Sequence, residues 1–522
     1  MARNAASALN GLQGRPVNLR HQLAYGGGNL LGSGALAISG AWLLYFYTTF
    51  CGLTLIEAAF IFSVASVIDA ISNPLMGYLT DNFGKTRLGK RFGRRRFFLL
   101  IGIPLMMFYP MLWVEGLSFW YYLCTYVVFE IIYTSVMVPY ETLATEMTDD
   151  FSLRSKLTGY KAIFGKLANF LAAFIPGQFI LLYGKESATP FFLTGLTYGA
   201  ILICAVACLW YNSWERPREE EAEVETKTGL LNTLVSLAKD MRSTFYLRVF
   251  RKHLGMYLCG FGAEWLFASV FTYFVIFVLQ HDPAMVAGLN SLNSILQLIS
   301  TAFFIGLCVK KGFSKPYIMA LSVVIFAVLL YTSLWFFHLP AHLATILMFG
   351  ITVLFGLGTG GVYYIPWTVY TFLADVDEIY TGRRREGIYA GAMTFSGKIL
   401  RSIIVFVMGA VLSYYGFQSK AHVQPESAVN AIAVVFCAGV ALLALAAIVF
   451  SNQMKLDRKT HLIVLQEVAR IKAGGKLEDI APEVRVVIED LVGHRYEECW
   501  GNSPLFKTDE TPVVVEAVSA GR

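Results

Sequence analysis

Long apolar stretches recur along the whole chain, and they constrain its fold more than any other feature of the sequence. Each stretch is close to the roughly 20 residues that a helix needs to cross the hydrocarbon core of a bilayer. Charged residues make up 15% of the chain, whereas about 25% is usual in soluble domains. The sequence therefore predicts an all-α membrane protein with twelve transmembrane helices. The predicted spans are residues 25–49, 57–80, 97–114, 118–140, 160–183, 190–212, 253–279, 284–309, 316–337, 343–367, 387–414 and 427–451.

Basic residues are concentrated in alternate loops, as in "DNFGKTRLGKRFGRRR" after the second span. The positive-inside rule places these loops and both termini in the cytoplasm. A charged connector divides the spans six and six, which resembles the major facilitator fold of two repeated halves. The expected location is a bacterial-type cytoplasmic (inner) membrane, crossed many times. The predicted divisions are a cytoplasmic segment 1–24, a six-helix bundle 25–212, a cytoplasmic linker 213–252, a second six-helix bundle 253–451 and a small helical cytoplasmic tail 452–522.

Two loops, one in each half, have the same order of residues: "VPYETLATEMTDDFSLRSKLTGYKA" and "IPWTVYTFLADVDEIYTGRRREGIYA". Each runs from a proline–aromatic pair to acidic residues, among them Asp149 and Asp375, and then to basic residues, among them Arg154 and Arg385. Each ends on a glycine and a tyrosine that open the next helix. This agreement predicts that the halves are internal repeats, with gating contacts made by these loops.

The motif "GYLTDNFGKTR" between the second and third spans has the spacing of the major facilitator loop motif. Gly77 permits close helix contact, and the carboxylate of Asp81 can hold a basic residue or a helix N-terminus while one side of a carrier is closed. Gly84, Lys85 and Arg87 complete the motif. A turn that merely carries positive charge on the cytoplasmic side would explain the basic residues but not the full spacing.

Asp69 lies near the middle of the second apolar stretch, where a charged residue costs roughly 2.5–3.5 kcal/mol on insertion scales. Asn73 is four residues further on and therefore shares its helix face. Pro74 has no N–H to donate, which frees the carbonyl of Ala70. Together these groups predict an oxygen-rich cation site. The alternative is an aspartate that pairs with a neighbouring helix for packing.

Two cations, Lys398 and Arg401, lie near one face of the eleventh span, and both need anionic partners. The candidates are Asp69, Glu130 in the fourth span and Glu264 in the seventh. Either these groups neutralise one another, or an anionic substrate or a coupling ion completes them. Glu130 and Glu264 could instead be protonated and inert.

Other features have more modest interpretations. Lys161 and Lys166 interrupt the fifth span. Either side chain could extend to the cytoplasmic edge, and this interpretation is favoured for Lys161. Trp367 is a candidate for stacking on a sugar ring or an acyl chain. No nucleophile–base pairing, metal-ligand spacing or phosphate-binding loop points to an enzyme.

Three segments, "IDAISNPLMGYLTD", "VPYETLATEMTDDFSLR" and "DVDEIYTGRRREGIYAGAMTFSGK", together resemble the glycoside–pentoside–hexuronide:cation symporters of the major facilitator superfamily. The resemblance runs over roughly residues 20–450. It implies substrate uptake coupled to Na⁺, Li⁺ or H⁺ by alternating access. It also matches Asp69 to the acidic cation-site residue, Lys398 to the lysine beside it, Thr134 to a threonine near the ion and Thr394 to a threonine of the cavity.

The chain departs from the family pattern at four positions. Asn73 replaces a second acidic cation-site residue, Ser33 and Met137 replace two galactoside-binding acids, and Glu141 replaces a tryptophan. These departures argue against a melibiose-like galactoside and against strong Na⁺ dependence. They favour H⁺ coupling or a weakened ion site.

The predicted function is cation- or proton-coupled symport of a sugar, glycoside or sugar derivative. The expected partners are this substrate, the coupling cation and membrane lipid, with no nucleic acid, no organic cofactor and no bound metal. The substrate cavity is expected to include the residues Ser33, Glu130, Met137, Glu141, Glu264, Trp367, Thr394 and Arg401. The alternatives are a lysolipid carrier of the same fold and a non-transporting sensor or scaffold that acts through its C-terminal tail.

Overall fold

A computed structural model of the protein describes residues 16–84, 86–148, 151–215, 230–337, 340–382, 385–421 and 423–502. Within these ranges it contains helices and loops and no β-strand. Twelve of the helices are long and apolar enough to cross a membrane. The predicted fold class is therefore confirmed, and the chain is a multi-pass membrane protein.

The spanning helices, numbered 1 to 12 in chain order, form a first half (spans 1–6) and a second half (spans 7–12). Their bounds are Leu19–Thr49, Leu55–Phe83, Arg96–Trp113, Phe119–Met147, Phe151–Tyr183, Thr189–Asn212, Arg248–Val278, Pro283–Lys311, Ser314–Phe337, Ala341–Thr381, Glu386–Tyr414 and Glu426–Asn452. Shorter helices are Arg87–Phe92, Leu230–Thr244, Arg458–Lys472 and Pro482–Val492, with single turns at Leu477–Asp479 and Tyr496–Glu498.

Span 1 is the least regular of the twelve, because π-helical turns interrupt it at Leu30–Ala35 and Ser39–Leu43. Its glycines allow neighbouring helices to approach closely, as small residues commonly do in membrane bundles. Gly34 is one contact point: a Cβ at this position would lie 1.6 Å from the hydroxyl oxygen of Tyr198 on span 6. Gly34 therefore serves helix packing in the first half.

Gly34→Ala is expected to destabilise the first half. The Tyr198 hydroxyl donates a 2.9 Å hydrogen bond to the main-chain oxygen of Leu30, and the added methyl group would displace it. Overpacking and the lost hydrogen bond together should cost about 2–3 kcal/mol, which thermal unfolding in detergent would register as a lower Tm. Gly27→Ala is the matched control on the same span, since no atom of the residues that the structure describes lies within 4 Å of its added Cβ. Equal Tm values for the two variants would contradict the prediction.

The halves meet along two seams, span 2 against span 11 and span 5 against span 8. At the first seam, a Cβ added to Gly409 would lie 2.5 Å from the Cβ of Ala59. At the second, a Cβ added to Gly177 would lie 2.6 Å from the Cβ of Ala287. All four residues lie toward the end of the bundle opposite the tail, which we call the far end. The other end is the tail end.

Polar contacts also join the halves at the far end. The hydroxyls of Thr48 and Tyr273 are 3.1 Å apart, and Lys185 forms an ion pair with Asp282. The main-chain N–H of Lys420 donates to the carbonyl of Thr48 at 3.1 Å. The far end is therefore closed in this conformation.

The C-terminal tail packs against the tail end of span 10. Span 10 has 41 residues, so it is about 60 Å long and projects well beyond a hydrocarbon core of about 30 Å. On this projection, Asp375 lies 2.8 Å from the imidazole of His461 and Glu378 forms a 2.5 Å ion pair with Lys472. The tail is helical, as predicted, over Arg458–Lys472 and Pro482–Val492.

Candidate functional site

The carboxylate of Asp69 is buried between the halves, with 7% of the residue exposed. Its Oδ2 forms an ion pair with the ammonium of Lys398 on span 11. Its Oδ1 accepts hydrogen bonds from Thr134 Oγ1 at 2.5 Å and from Asn73 Nδ2 at 3.0 Å. Of the three acids that were candidates for pairing with Lys398, it is therefore Asp69 that contacts it in this conformation. A buried charge of this kind is tolerated because both of its oxygens are paired.

Local helix geometry explains how Asn73 reaches this site. One turn after Asp69, it donates to the Asp69 main-chain oxygen at 2.7 Å as well as to the carboxylate. Pro74 lies within the same helix. In this conformation the Asn73 amide stabilises the negative charge through its N–H group, whereas the sequence analysis expected it to contribute an oxygen to the site.

A second acid and a second cation lie beside this pair. Glu130 is 4% exposed, lies next to the Tyr126 hydroxyl, and is within electrostatic range of Asp69, Lys398 and Arg401. Arg401 faces span 1: a Cβ added to Gly40 there would lie 3.2 Å from its Nη2. Lys398 therefore neutralises Asp69 directly, and Arg401 interacts with the acids at longer range.

The positions at which the chain departs from the family pattern lie in different places. Ser33 lies against Gly165 of span 5, with Oγ 3.0 Å from an ideal Cβ there, and Met137 lies against Gly32 of span 1, with Cε 2.6 Å away. Both pack among spans 1, 4 and 5. Glu141 forms an ion pair with Lys161 toward the tail end, with 48% of its side chain exposed.

Two further cavity candidates belong to the second half. Thr394 lies one turn before Lys398 on span 11 and is half-buried. Trp367 is 39% exposed and makes an edge contact with Tyr257, with 6.0 Å between the ring centres. Neither belongs to the group formed by Asp69, Lys398, Thr134 and Asn73.

Lys166 is the second lysine that interrupts span 5, and extension to the cytoplasmic edge was favoured for Lys161 but left open for Lys166. It extends across the seam of spans 5 and 8, where its Nζ donates to Gln297 Oε1 at 2.7 Å, and it does not extend to the cytoplasmic edge. A signal for this was present in the sequence, since Gly165–Lys166 on span 5 repeats Gly397–Lys398 on span 11. Spans 5 and 11 are the fifth helices of their halves, so each seam has a lysine that crosses it.

The predicted gating residues are described only in part. Lys85 and Asp149 lie outside the described residues, as do the side chains of Asp81 and Arg154. Among the described residues, nothing lies within 4 Å of a Cβ added to Gly77, so the close helix contact predicted at this glycine is not made in this conformation.

The other members of the first-half motif lie at the tail end. Gly84 would place an added Cβ 3.6 Å from the Cβ of Arg94, and Arg87 is exposed. Glu146 on span 4 pairs with Arg94 at 2.6 Å and with Arg95. An acid–arginine contact thus ties the loop after span 2 to span 4.

The equivalent loop of the second half has a similar contact. Asp377 is fully buried and accepts two hydrogen bonds from Arg385, at 2.7 and 2.8 Å. Tyr389 donates to the same carboxylate at 2.6 Å. Asp375, the acid predicted here, instead contacts His461 of the tail.

Twelve spans in two halves, with an ion pair buried between them, define a secondary transporter of the major facilitator type. Residues 24–458 match the model of a family described as MFS/sugar transport protein. Because this match covers most of the chain, the chain belongs to that family. It is a transporter and not an enzyme.

Named relatives agree with this assignment. A putative glycoside/cation symporter of Escherichia coli is 26% identical, over 76% of this chain and 83% of its own length. The isoprimeverose transporter of Lactiplantibacillus pentosus is 24% identical, over 76% and 80%. A solved D-xylose–proton symporter has a TM-score of 0.58 at 14% identity, over 83% of this chain and 96% of its own, and shows the shared fold. The predicted resemblance to the glycoside–pentoside–hexuronide symporters and the predicted class, a sugar symporter, are confirmed.

Proposed function

We propose that this protein imports a sugar or sugar derivative together with H⁺ or Na⁺, and that Asp69 is its coupling residue. The observation that carries the proposal is the ion pair between Asp69 and Lys398, which joins the two halves at mid-span. Burying a charged side chain at this depth costs free energy. Ionisable residues inside membrane bundles commonly mark ion and substrate pathways.

The ammonium of Lys398 occupies the place that a coupling cation would take. A cation or proton at Asp69 would compete with it, because one carboxylate cannot neutralise two positive charges in a low-dielectric interior. Binding would then release Lys398 and weaken the link between spans 2 and 11. The energy of cation binding is in this way coupled to rearrangement of the halves, which is the requirement for symport.

Proton coupling fits the donors around Asp69 better than Na⁺ coupling does. Thr134 and Asn73 both donate hydrogen bonds to Oδ1, whereas a Na⁺ site needs several oxygens that point at the ion. A proton needs only one carboxylate oxygen, and Lys398 would leave Oδ2 free when it moves away.

With the basic loops and the tail in the cytoplasm, as the positive-inside rule requires, the closed far end is the external side, and the carrier is closed to the outside in this conformation. Substrate would leave toward the tail end, where the paired Glu141 and Lys161 are partly exposed. Return to the outward-open form would separate the far-end contacts and bring the tail-end loops together.

The function is tested by uptake into proteoliposomes that contain the full chain. Labelled isoprimeverose, methyl β-D-glucuronide and methyl β-D-xyloside are offered with an inward H⁺ gradient, an inward Na⁺ gradient or neither. We expect accumulation of at least one sugar above its external concentration under the H⁺ gradient, abolished by a protonophore. Equal uptake with and without both gradients would contradict coupling.

A lysolipid substrate is the second candidate, and one surface favours it. An apolar groove of about 1100 Å³ lies on the outer face of the first half, between spans 1, 5 and 6. Its lining includes Leu23, Leu30, Phe164 and Ile201, which suit an acyl chain. Uptake of a fluorescent lysolipid without uptake of any sugar probe would favour this alternative.

A further inference from the structure

A second polar cluster lies between the halves, at the seam of spans 5 and 8. Lys166 donates to Gln297 at 2.7 Å, and its Nζ lies 5.4 Å from the centre of the Tyr363 ring on span 10. Gln297 is 5% exposed. This cluster is separate from the Asp69 site and uses none of its side chains.

Glu264 on span 7 is near this cluster but forms no hydrogen bond with it among the described residues. It is 6% exposed, and its Oε1 has no hydrogen-bond partner among the described residues. Glu264 is within electrostatic range of Lys166 and Tyr363, but no ion pair joins it to Lys166 within the described part of the chain. Burying a carboxylate oxygen without a hydrogen-bond donor costs free energy, so this oxygen is a candidate acceptor for a hydrogen bond from a ligand.

Lys166 has donors to spare. A lysine ammonium carries three N–H groups, and Gln297 is the one hydrogen-bond acceptor that it has among the described residues. The cluster therefore offers free donors on one side and a free acceptor on the other. A hydroxyl group can accept a hydrogen bond from Lys166 while it donates one to Glu264. Neither a simple anion nor a simple cation can do both.

We propose that Lys166, Gln297 and Glu264 form a subsite for the hydroxyl groups of a sugar ring, with the aromatic ring of Tyr363 beside it. The proposal rests on the proposed function and deepens it, because it gives the second half a part in substrate recognition. The ligand class is a neutral polyol ring, since the lysine and the glutamate already balance one another in charge.

The position of the subsite suits a carrier whose first half has lost polar groups. Ser33 and Met137 stand where the family pattern has sugar-binding acids. The Ser33 side chain lies against Gly165, which directly precedes Lys166 in the chain. A sugar held there would contact both halves and so could influence their rearrangement.

The test uses the uptake assay described above with Lys166→Met, Glu264→Gln and the double variant. Each single variant should raise KM about 10- to 100-fold, the range expected for one lost hydrogen bond to a charged group. The maximal rate and the H⁺ dependence should stay near those of the unmodified protein, and the stabilisation of the purified protein by sugar should be lost. The double variant should bind no better than the weaker single variant.

Lys315→Met and Glu426→Gln are the matched controls, because both residues are exposed at helix ends, and they should leave KM unchanged. Recovery of KM in the double variant would show an internal charge pair and overturn the proposal. So would single variants whose KM stays within about two-fold, a change of under half a kcal/mol. Failure of the unmodified protein to take up or be stabilised by any probe would contradict the proposed function itself, and the subsite with it.

Discussion

Asp69→Asn is expected to abolish accumulation of substrate against its gradient while leaving the protein folded. Asparagine keeps the shape of the side chain but cannot bind a proton or neutralise Lys398. Removing one partner of a buried ion pair commonly destabilises a protein by 3–5 kcal/mol. The ammonium of Lys398 would then need another acid, and Glu130 is within electrostatic range. The steady-state ratio of internal to external sugar in proteoliposomes should fall to about one. Exchange of labelled for unlabelled sugar, which needs no gradient, should persist.

Asp479→Asn, an exposed position in the tail, is the control and should accumulate sugar normally. A variant Asp69→Asn that still concentrates substrate would contradict the coupling role. The non-transporting sensor or scaffold alternative would be favoured by a different result: no uptake of any sugar by the unmodified protein, and a function in the cell that Asp69→Asn keeps and truncation after Lys455 abolishes.

Gly177→Trp is expected to stop transport by preventing closure of the far end. The closed conformation leaves no room even for a methyl group, since a Cβ at Gly177 would lie 2.6 Å from that of Ala287 across the seam. An indole would force spans 5 and 8 apart at this end and hold the carrier open there. Spin labels at positions 185 and 282, which form an ion pair in this conformation, should report a longer distance, and uptake should fall at least 100-fold.

Gly306→Trp is the matched control on span 8, where nothing lies within 4 Å of an added Cβ. It should leave both the spin-label distance and uptake unchanged. Normal uptake by Gly177→Trp would mean that closure of this seam is not part of the transport cycle.

Much of the polar cluster around Asp69 could be predicted because buried charge leaves few solutions. Asp69 in an apolar helix needs a partner, and Lys398 was one of few cations within the predicted spans. The choice between Lys398 and Arg401 depended on the register of spans 2 and 11. Reciprocal hydrogen bonds between Ser63 and Ser402, at 2.9 and 3.3 Å, hold this register.

The direction of Lys166 could not be predicted from its own segment. A lysine at this depth can extend along its helix to the membrane edge or across to a neighbouring helix. The approach of span 8, which presents Gln297 at hydrogen-bond distance, decides between these outcomes. The docking of the tail is similar. Its helical character was predictable, but the contact of His461 in the tail with Asp375 depends on the projecting end of span 10.

By itself the sequence determined the number of spans, the division into two halves and the presence of costly charges within them. These follow from the free energy of placing each residue in lipid, which depends mainly on that residue and its near neighbours in the chain. Only the tertiary structure decided which charges meet, which end of the bundle is closed and which buried carboxylate lacks a partner. Those outcomes depend on side-chain contacts between helices far apart in the chain, where a shift of a few ångströms makes or breaks a hydrogen bond.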